Sequence, residues 1–392
     1  MFNAREYENP ARIPPPLEVV PDQWYAVLEA SKLGRKPVQV RRFGEELVLY
    51  RSEGGSVGCM IDRCPHRGVA LSLGRVVGEE IECGYHGFRF RGDGACTAMP
   101  CEGAGAKIPN AMRAQAFPAR EENGLVWVWW GAARPSLPAI PWIEEAPRDT
   151  GHAFDISYVW PVPAFRAIES AFDYHHAPVL HGKRSLRFSH VPRLRRASDV
   201  TCEVGEDSIE LRLVLREEGN PARVGRPTLA CHTSFRMPGL SLLRIGSFGR
   251  ILIIDTPIDT ATTWRFTRHI SPIGRALGLG KLIVRLKSEL DMRFGTQFAE
   301  DMPMVVTQAY PGEAFSDVYV KADAGCAQYD RMRKRLMREA RARAEVQEYP
   351  PVVRRRLGPS KGRSLPVVIS DGPATPPRRA EEGLLDIESL VG

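Results

Sequence analysis

The sequence predicts an α+β protein with two main domains, an all-β domain at the N-terminus and a mixed domain after it. Short apolar runs separated by turn residues fill residues 18–131, a pattern typical of a meander of short strands. Strand-like and helix-like stretches are mixed through residues 150–345, as in α+β domains. A proline-rich stretch, residues 132–149, separates the two, and a chain of 392 residues is long for a single hydrophobic core.

The first domain follows from its strand-forming segments. Residues 22–62 contain the apolar runs "QWYAVLEA", "PVQVRRF", "EELVLYR" and "SVGCMID", each followed by turn residues. Residues 114–131 predict a further strand pair, in which "REENG" forms the hairpin and "LVWVWW" is aromatic and β-branched.

The second domain combines predicted strands with predicted helices. The strands are "SIELRLVLREE", "ILIIDTPI" and "TTWRFTRHIS", and the helices cover residues 164–177 and 280–308. Residues 349–392 are rich in Pro, Arg and Gly, which predicts an irregular C-terminal tail.

Composition and charge exclude several classes of protein. The chain is 43% hydrophobic and 26% charged, has no apolar run of about eighteen residues, and begins with a segment that lacks an apolar core. These features predict a cytoplasmic protein without a membrane span.

The net charge is +7, but residues 331–363 carry twelve Lys and Arg against three Glu, or +9, so the remainder is about −2. A basic surface for nucleic acid is therefore not expected.

Two short loops each contain one cysteine and one histidine. They are "RCPHRG" and "ECGYHG", with sixteen residues between the first histidine and the second cysteine. Thiolates and imidazoles bind soft and borderline metals well, and disulfides are not expected without an export signal. Glycines after the histidines, Gly68 and Gly87, free the backbone to approach a metal. The candidate ligands are Cys64, His66, Cys83 and His86.

Two kinds of metal centre compete for these loops. Structural zinc fingers usually pair Cys with Cys and then His with His. A Rieske [2Fe–2S] centre has two cysteines on one iron and two histidines on the other, so each loop supplies one ligand to each iron. The mixed loops of this sequence favour the Rieske centre, with structural zinc as the alternative.

A second group of metal-binding residues occurs in "AIESAFDYHHAPVLHG". Asp173, His176 and His181 stand at relative positions 0, +3 and +8. Two histidines and one carboxylate with open coordination positions form the facial triad of non-haem Fe(II) oxygenases. Asp173 and His176 would share one helix face, and a helix break indicated by Pro178 and Gly182 would bring His181 back to the metal.

The segments "CPHRGVALSLG", "CGYHGFRF" and "GDGACTAMP" resemble the Rieske domain of the Rieske non-haem iron oxygenases over about residues 20–131. The resemblance implies a second domain of the helix-grip (START-like) type. It also implies that His176 and His181 bind iron, and that Asp173 forms a bridge towards a Rieske histidine of a neighbouring subunit.

The same resemblance supplies the third iron ligand from a later helix. The segment "FAEDMPMVVTQAYP" is similar to the family's acidic pair, which implies Asp301 as the ligand, with Glu300 as the alternative. His175 is expected to support the site or lie at the surface, with ligation as the alternative. The family often has Asn shortly before the aspartate, where this chain has Glu169 and Ser170.

The implied function is that of a terminal oxygenase. It would use O2 and electrons from NAD(P)H, delivered by a separate reductase or ferredoxin, to hydroxylate or oxidatively demethylate a hydrophobic, aromatic or polycyclic small molecule. The family's arrangement is a homotrimer. Similarity to single-subunit oxygenases such as vanillate O-demethylase and the phthalate and chlorophyllide types favours monooxygenation or demethylation over cis-dihydroxylation. The alternative is a Rieske electron-transfer or binding protein without a functional mononuclear iron.

A strongly basic helix is expected at residues 329–346. Tyr329, Met332, Leu336 and Ala340 would form its buried stripe, and most of its other residues are Arg or Lys. This face is interpreted as a solvated helix surface, with docking of an acidic electron donor as the alternative.

Overall fold

The computed structural model describes residues 17–146, 153–181, 194, 196–217, 229–246, 250–270, 300–308 and 317–346. The predicted tail and residues 280–299 of the second predicted helix lie outside the described residues. The predicted α+β class is confirmed, because an all-β region comes first and a mixed region follows.

The N-terminal region consists of three small antiparallel sheets, with strand orders β1-β11-β10, β2-β3-β4-β9 and β5-β6-β7-β8. The strands are β1 (Gln23–Glu29), β2 (Val38–Arg42), β3 (Glu45–Arg51), β4 (Val57–Ile61), β5 (Arg75–Val77), β6 (Glu80–Glu82), β7 (Arg89–Phe90), β8 (Cys96–Ala98), β9 (Ala116–Phe117), β10 (Ala119–Glu122) and β11 (Leu125–Trp130). The predicted hairpin joins β10 to β11. Asn123 and Gly124 both have positive φ there, 56° and 79°, as a two-residue turn of this kind requires.

The second region is built on one seven-stranded antiparallel sheet, of order β12-β18-β17-β16-β15-β14-β13. Its elements are β12 (Ala153–Trp160), α1 (Ala164–Glu169), α2 (Ala177–Leu180), β13 (Arg196–Val204), β14 (Ser208–Arg216), β15 (Leu229–Arg236), β16 (Leu240–Ile245), β17 (Arg250–Pro257), β18 (Thr263–Ile270), α3 (Met302–Val305) and α4 (Ala324–Val346).

One face of this sheet packs against α1 and α4. Phe165 and Ile168 of α1, and Tyr329 and Met332 of α4, are buried in the same cluster as Leu211 and other residues of the sheet. The predicted buried stripe of α4 is confirmed, since Ala340 is also buried and Leu336 packs against the cluster.

The opposite face of the sheet packs against the N-terminal region. Trp127 and Trp129 of β11 share a buried cluster with Leu242 and Phe266, and Ile140 of the proline-rich link belongs to it. Buried aromatic side chains contribute much of the packing energy where two such regions meet. Both regions belong to one compact unit. Among the described residues, no helix has the length and apolar character to cross a membrane.

The single helix predicted over residues 164–177 is wrong. In a continuous helix the Ala171 N–H would donate to the Ala167 carbonyl, but that oxygen accepts from the guanidinium of Arg265 on β18 and from Ser170 Oγ. Ala171 N–H donates instead to Ile168 O at 3.0 Å. Helix α1 therefore ends at Glu169, two residues after the carbonyl that a buried arginine takes.

The expected helix break between His176 and His181 is also wrong. Pro178 lies in the first turn of α2, where no N–H group needs an intrahelical acceptor. His181 N–H donates to Ala177 O at 3.0 Å, so the helical turn continues through both histidines. The break precedes His176, and Gly182 lies outside the described residues.

Candidate active site: two metal-binding centres

The two Cys/His loops have the same backbone hydrogen bonds. Cys64 N–H donates to Val69 O at 2.8 Å, and Cys83 N–H donates to Phe88 O at 2.8 Å, each acceptor five residues further on. Four residues after each cysteine, the glycine N–H returns to the cysteine carbonyl, at 2.8 Å in the first loop and 3.0 Å in the second. The cysteines therefore stand at equivalent positions of two matching turns.

A positive φ closes each of these turns. Gly68 has φ +76° and Gly87 has φ +71°, a region that residues with a Cβ atom rarely adopt. Beside Gly68 there is open space, whereas a Cβ on Gly87 would meet Pro100 Cγ at 3.4 Å. Glycine is needed here for the backbone conformation itself and not for a close approach.

The side chains of the loops form a buried cysteine pair and a half-buried histidine pair. Cys64 and Cys83 are 3% and 2% exposed. The two histidine Nδ1 atoms, of His66 and His86, are 3.1 Å apart. Burial raises the pKa of the Cys64 thiol to about 11, so a thiolate at this position needs a nearby cation. Such a pair of thiols beside a pair of imidazoles fits the ligand set of a Rieske cluster.

One residue that fixes the first loop was not singled out from the sequence. Asp62 is 1% exposed, and its carboxylate accepts hydrogen bonds from Gln39 Nε2 at 2.7 Å, Ser72 N–H at 2.7 Å and Ser72 Oγ at 2.6 Å. This carboxylate ties the start of the loop to β2 and to the turn before β5. The only sequence signal was its position two residues before Cys64.

The structure brings the three predicted iron ligands together. His176 Nε2 and His181 Nε2 are 3.2 Å apart, and Asp301 Oδ1 lies 3.1 Å from His181 Nε2 and 3.6 Å from His176 Nε2. Asp301 Oδ1 is buried and meets the geometry of no hydrogen bond with a described residue. Three atoms at these separations can all lie about 2 Å from one point, a normal metal–ligand distance. The group therefore fits a metal ion.

A carboxylate faces the other ring nitrogen of each histidine. His181 Nδ1 is 2.8 Å from Glu300 Oε2, and His176 Nδ1 is 3.2 Å from Asp173 Oδ1. Metal-binding histidines usually donate this second N–H to such a partner, which fixes the orientation of the ring. Glu300 was considered only as an alternative ligand, although its place beside Asp301 in the acidic pair was visible in the sequence.

The charges of the site shift two pKa values. Burial lowers the pKa of His181, but the nearby carboxylates of Asp301 and Glu300 outweigh burial and raise it above its usual value. Burial alone would raise the pKa of Asp173. The hydrogen bond and charge of His176, together with the charge of His175, outweigh burial, so the pKa lies below its usual value. The electrostatic surroundings thus favour a cation among these side chains.

Contacts with the sheet hold the ligand segments in place. Tyr174 lies between the two predicted functional residues Asp173 and His175, and its hydroxyl is 2.7 Å from Thr233 Oγ1 on β15. Thr233 Oγ1 in turn donates to Ala171 O at 2.7 Å. Met302, directly after Asp301, is buried in a small cluster that includes Ala167. Both ligand segments are therefore anchored through their neighbours.

The residues at the family's usual asparagine positions have structural partners. Glu169 is buried and accepts from Arg166 at 2.7 Å, while Ser170 Oγ donates to Ala167 O at 2.6 Å. Neither contact reaches a candidate iron ligand. His175 lies outside the group of three as well, and contacts Asp173 and Asp323.

Comparison with known proteins identifies the domain that contains the two Cys/His loops. Residues 23–117 match the Rieske [2Fe-2S] domain family. Protein TIC 55 of Arabidopsis thaliana is 33% identical over 166 residues, which are 41% of this chain and 30% of that protein. The 3-chlorobenzoate-3,4-dioxygenase oxygenase subunit of Comamonas testosteroni is 39% identical over 125 residues, 31% of this chain and 29% of that subunit. The chain thus matches less than a third of the length of these two relatives.

Solved structures extend the likeness to the second region. The crystal structure of dicamba monooxygenase bound to 3,6-dichlorosalicylic acid has a TM-score of 0.67 and 21% identity, covering 83% of this chain and 99% of that one. NdmA of Pseudomonas putida CBB5 with caffeine has a TM-score of 0.64 and 23% identity, covering 87% and 94%. Similarity of this kind shows a shared fold across both regions.

The Rieske domain that the sequence resembles is confirmed over residues 23–117, and the second region shares the fold of the two solved structures named above. Residues 23–117 are a Rieske [2Fe-2S] domain, so a [2Fe–2S] cluster and not zinc is the expected occupant of the two loops.

Proposed function

We propose that the chain is the terminal oxygenase of a Rieske-type system. One observation carries the proposal: His176, His181 and Asp301 converge in the chain that also contains the Rieske domain. An electron carrier needs only the cluster, so a second metal-binding group with carboxylates behind both of its histidines favours an enzyme over the carrier alternative.

The proposed division of roles follows from the donor atoms. We assign the cluster to Cys64, Cys83, His66 and His86, and Fe(II) to His176, His181 and Asp301. Fe(II) with open coordination positions, supplied with electrons, would activate O2 for attack on the substrate. Glu300 orients the ring of His181 through Nδ1, and Asp173 does the same for His176. Asp173 also serves in this proposal as the bridge for electrons from a neighbouring subunit.

A homotrimer would bring the cluster of one subunit to the iron of the next. Large exposed apolar side chains lie near both groups of candidate ligands. Leu73 and Tyr85, 72% and 59% exposed, lie beside the cluster loops, while Val179 and Val320, 61% and 58% exposed, lie close in sequence to His181 and Asp323. Exposed apolar residues of this kind mark interaction surfaces. Light scattering should give the mass of three chains of 43.7 kDa, and a monomer in an active preparation would contradict the assembly.

The electrons would come from NAD(P)H through a separate reductase or ferredoxin, and a cytoplasmic location is part of this proposal. The outer face of α4 exposes Arg331, Lys334 and Arg338, although Lys334 also binds Asp330 at 2.7 Å. This face suits an acidic donor, since complementary charge speeds the encounter of two proteins. Reduction by the donor should slow as salt is added, and a rate independent of salt would exclude this docking face.

The substrate in this proposal is a hydrophobic aromatic or polycyclic molecule. Among similar proteins are a 5,5'-dehydrodivanillate O-demethylase oxygenase subunit of a Sphingobium strain, 30% identical over 194 residues, and the structures with dicamba and caffeine. The names of this O-demethylase subunit and of dicamba monooxygenase support monooxygenation or demethylation, whereas that of the 3-chlorobenzoate-3,4-dioxygenase subunit supports dioxygenation.

The experiment combines the purified protein with a reductase, NADH and a panel of methoxybenzoates, N-methylxanthines and chlorobenzoates. Oxygen uptake with formaldehyde release would show demethylation, and uptake with a hydroxylated product would show hydroxylation. A protein that accepts electrons and holds about two irons per chain, with no third iron after Fe(II) is added, would support the electron-carrier alternative.

A further inference from the structure

The histidine next to the candidate iron ligands lies between two carboxylates. His175 Nδ1 is 3.1 Å from Asp173 Oδ1, a distance contact without hydrogen-bond geometry, and His175 Nε2 is 3.3 Å from Asp323 Oδ1. The side chain of His175 is 32% exposed, so the contact is at the edge of the site. The two carboxylates come from distant parts of the chain, the segment after α1 and the turn before α4.

Asp323 is itself held firmly. Its Oδ2 accepts from Val320 N–H at 2.9 Å, and it is the last residue of the 3₁₀ turn Lys321–Asp323 before α4. The start of α4 packs closely on the segment before Asp173, because a Cβ on Gly325 would come within 2.6 Å of the Phe172 ring. Asp323 can therefore act as a fixed support for the ring of His175.

The contacts of Asp173 are divided unequally between its two oxygens. Oδ1 lies 3.1 Å from His175 Nδ1, 3.2 Å from His176 Nδ1 and 3.3 Å from His176 N. Within the described ranges, no hydrogen bond reaches Oδ2. The Asp173 side chain is 30% exposed. Both histidines thus lie at the same oxygen, Oδ1.

We propose that His175 is a positioning residue for electron entry: supported by Asp323, it fixes the carboxylate of Asp173 so that Oδ2 is presented to the neighbouring subunit's cluster. The inference rests on the proposed role of Asp173 as the bridge. Without His175, Oδ1 would keep only its contacts to His176, and the carboxylate could rotate. Small displacements of a transfer group slow a reaction severely even when every reacting group is present.

Four variants test this role. His175→Phe keeps an aromatic ring and removes both nitrogens, whereas His175→Asn keeps an amide nitrogen near the place of Nδ1. Asp323→Asn keeps an acceptor for Val320 N–H and removes the charge that faces His175. His232→Phe is the matched control, since His232 is also half-buried beside a carboxylate, Glu210 Oε2 at 2.7 Å, on the opposite face of the sheet.

The measurement is the reoxidation of the cluster. Anaerobically reduced protein is mixed with O2 and with the panel compound that supports the fastest oxygen uptake, and the visible spectrum of the cluster is followed. We expect His175→Phe to reoxidise about tenfold more slowly than wild type, with His175→Asn and Asp323→Asn in between and His232→Phe unchanged. Iron content and trimer mass should be the same in all variants.

The outcomes separate this inference from the proposed function. Asp173→Asn serves as the reference for a broken bridge. If that variant were as fast as wild type, the proposed bridge itself would be wrong. If it were slow while His175→Phe and Asp323→Asn matched wild type, only the role of His175 would be overturned. Rates for His175→Asn as low as for His175→Phe would also contradict it, because the remaining nitrogen would then have no effect.

Discussion

The two metal-binding centres are built by different means. In the Rieske domain, backbone hydrogen bonds and a glycine with positive φ shape two matching loops, and the loops lie within residues 64–87. In the second domain, the candidate ligand Asp301 comes 120 residues after His181, and side-chain carboxylates orient the histidines. The first centre is therefore set by local backbone geometry and the second by tertiary packing. We expect the iron of the second centre to be the more easily lost.

The largest expected effect is the complete loss of the cluster while the second centre keeps its iron. Replacement of Cys64 by serine removes a buried thiol of the cluster, and we expect loss of the red-brown colour and of acid-labile sulfide, with about one iron per chain retained. Visible spectra and metal analysis check this. Cys101→Ser, at an exposed cysteine, is the control and should keep the colour. Retention of sulfide in Cys64→Ser would contradict the assignment of the cluster.

The reciprocal change affects only the second centre. In Asp301→Asn the anionic oxygen near both histidine Nε2 atoms is lost, and we expect iron to fall from about three to about two per chain with an unchanged cluster spectrum. Oxygen uptake should fall to background. The matched control is Asp199→Asn, a surface carboxylate bound to Arg216 at 2.6 Å, which should retain all three irons. A third iron in Asp301→Asn would exclude Asp301 as a ligand.

A smaller effect is expected where a carboxylate only supports a ligand. Glu300→Gln weakens the partner of His181 Nδ1, which is 2.8 Å away, and should lower the affinity for Fe(II) by about 10-fold to 100-fold. Titration with an iron chelator measures this. The cluster should be unaffected. An affinity equal to that of wild type would show that packing, and not the carboxylate, orients His181.

The smallest effect concerns the backbone of the cluster loops. Gly68→Ala introduces a Cβ at φ +76° with open space around it, so only the backbone conformation resists, and the free energy of unfolding should fall by about 1 kcal/mol. Denaturant unfolding of the holoprotein measures the change. Gly34→Ala is the control, because Gly34 also has open space but no positive φ. An equal effect of both substitutions on the free energy of unfolding would show that the positive φ of Gly68 does not make glycine necessary in this turn.

The contrast between local backbone geometry and tertiary packing also explains which features the sequence could predict. Strands of the first domain, its hairpin and its four cluster ligands follow from local patterns, and glycine at each loop is a local requirement. The predicted helix over residues 164–177 failed because Arg265, almost a hundred residues away, takes the carbonyl of Ala167. The place of Glu300 beside His181 could not be predicted for a similar reason, since only the folded chain shows which nitrogen of His181 it faces.

Some expectations stay predictions. The domain limits 18–131 and 150–345, the tail at 349–392 and the roles of the individual site residues rest on the sequence, the resemblance and the geometry above. The trimer and the electron donor depend on surfaces that a single chain leaves exposed.

The most direct test of the account is the content of iron, zinc and acid-labile sulfide per chain in anaerobically purified protein, together with its visible spectrum. We predict about three irons and two sulfides with the red-brown spectrum of a Rieske cluster. Zinc without sulfide would contradict the cluster assigned to the two Cys/His loops. About two irons and two sulfides, unchanged after addition of Fe(II), would contradict the iron centre of His176, His181 and Asp301.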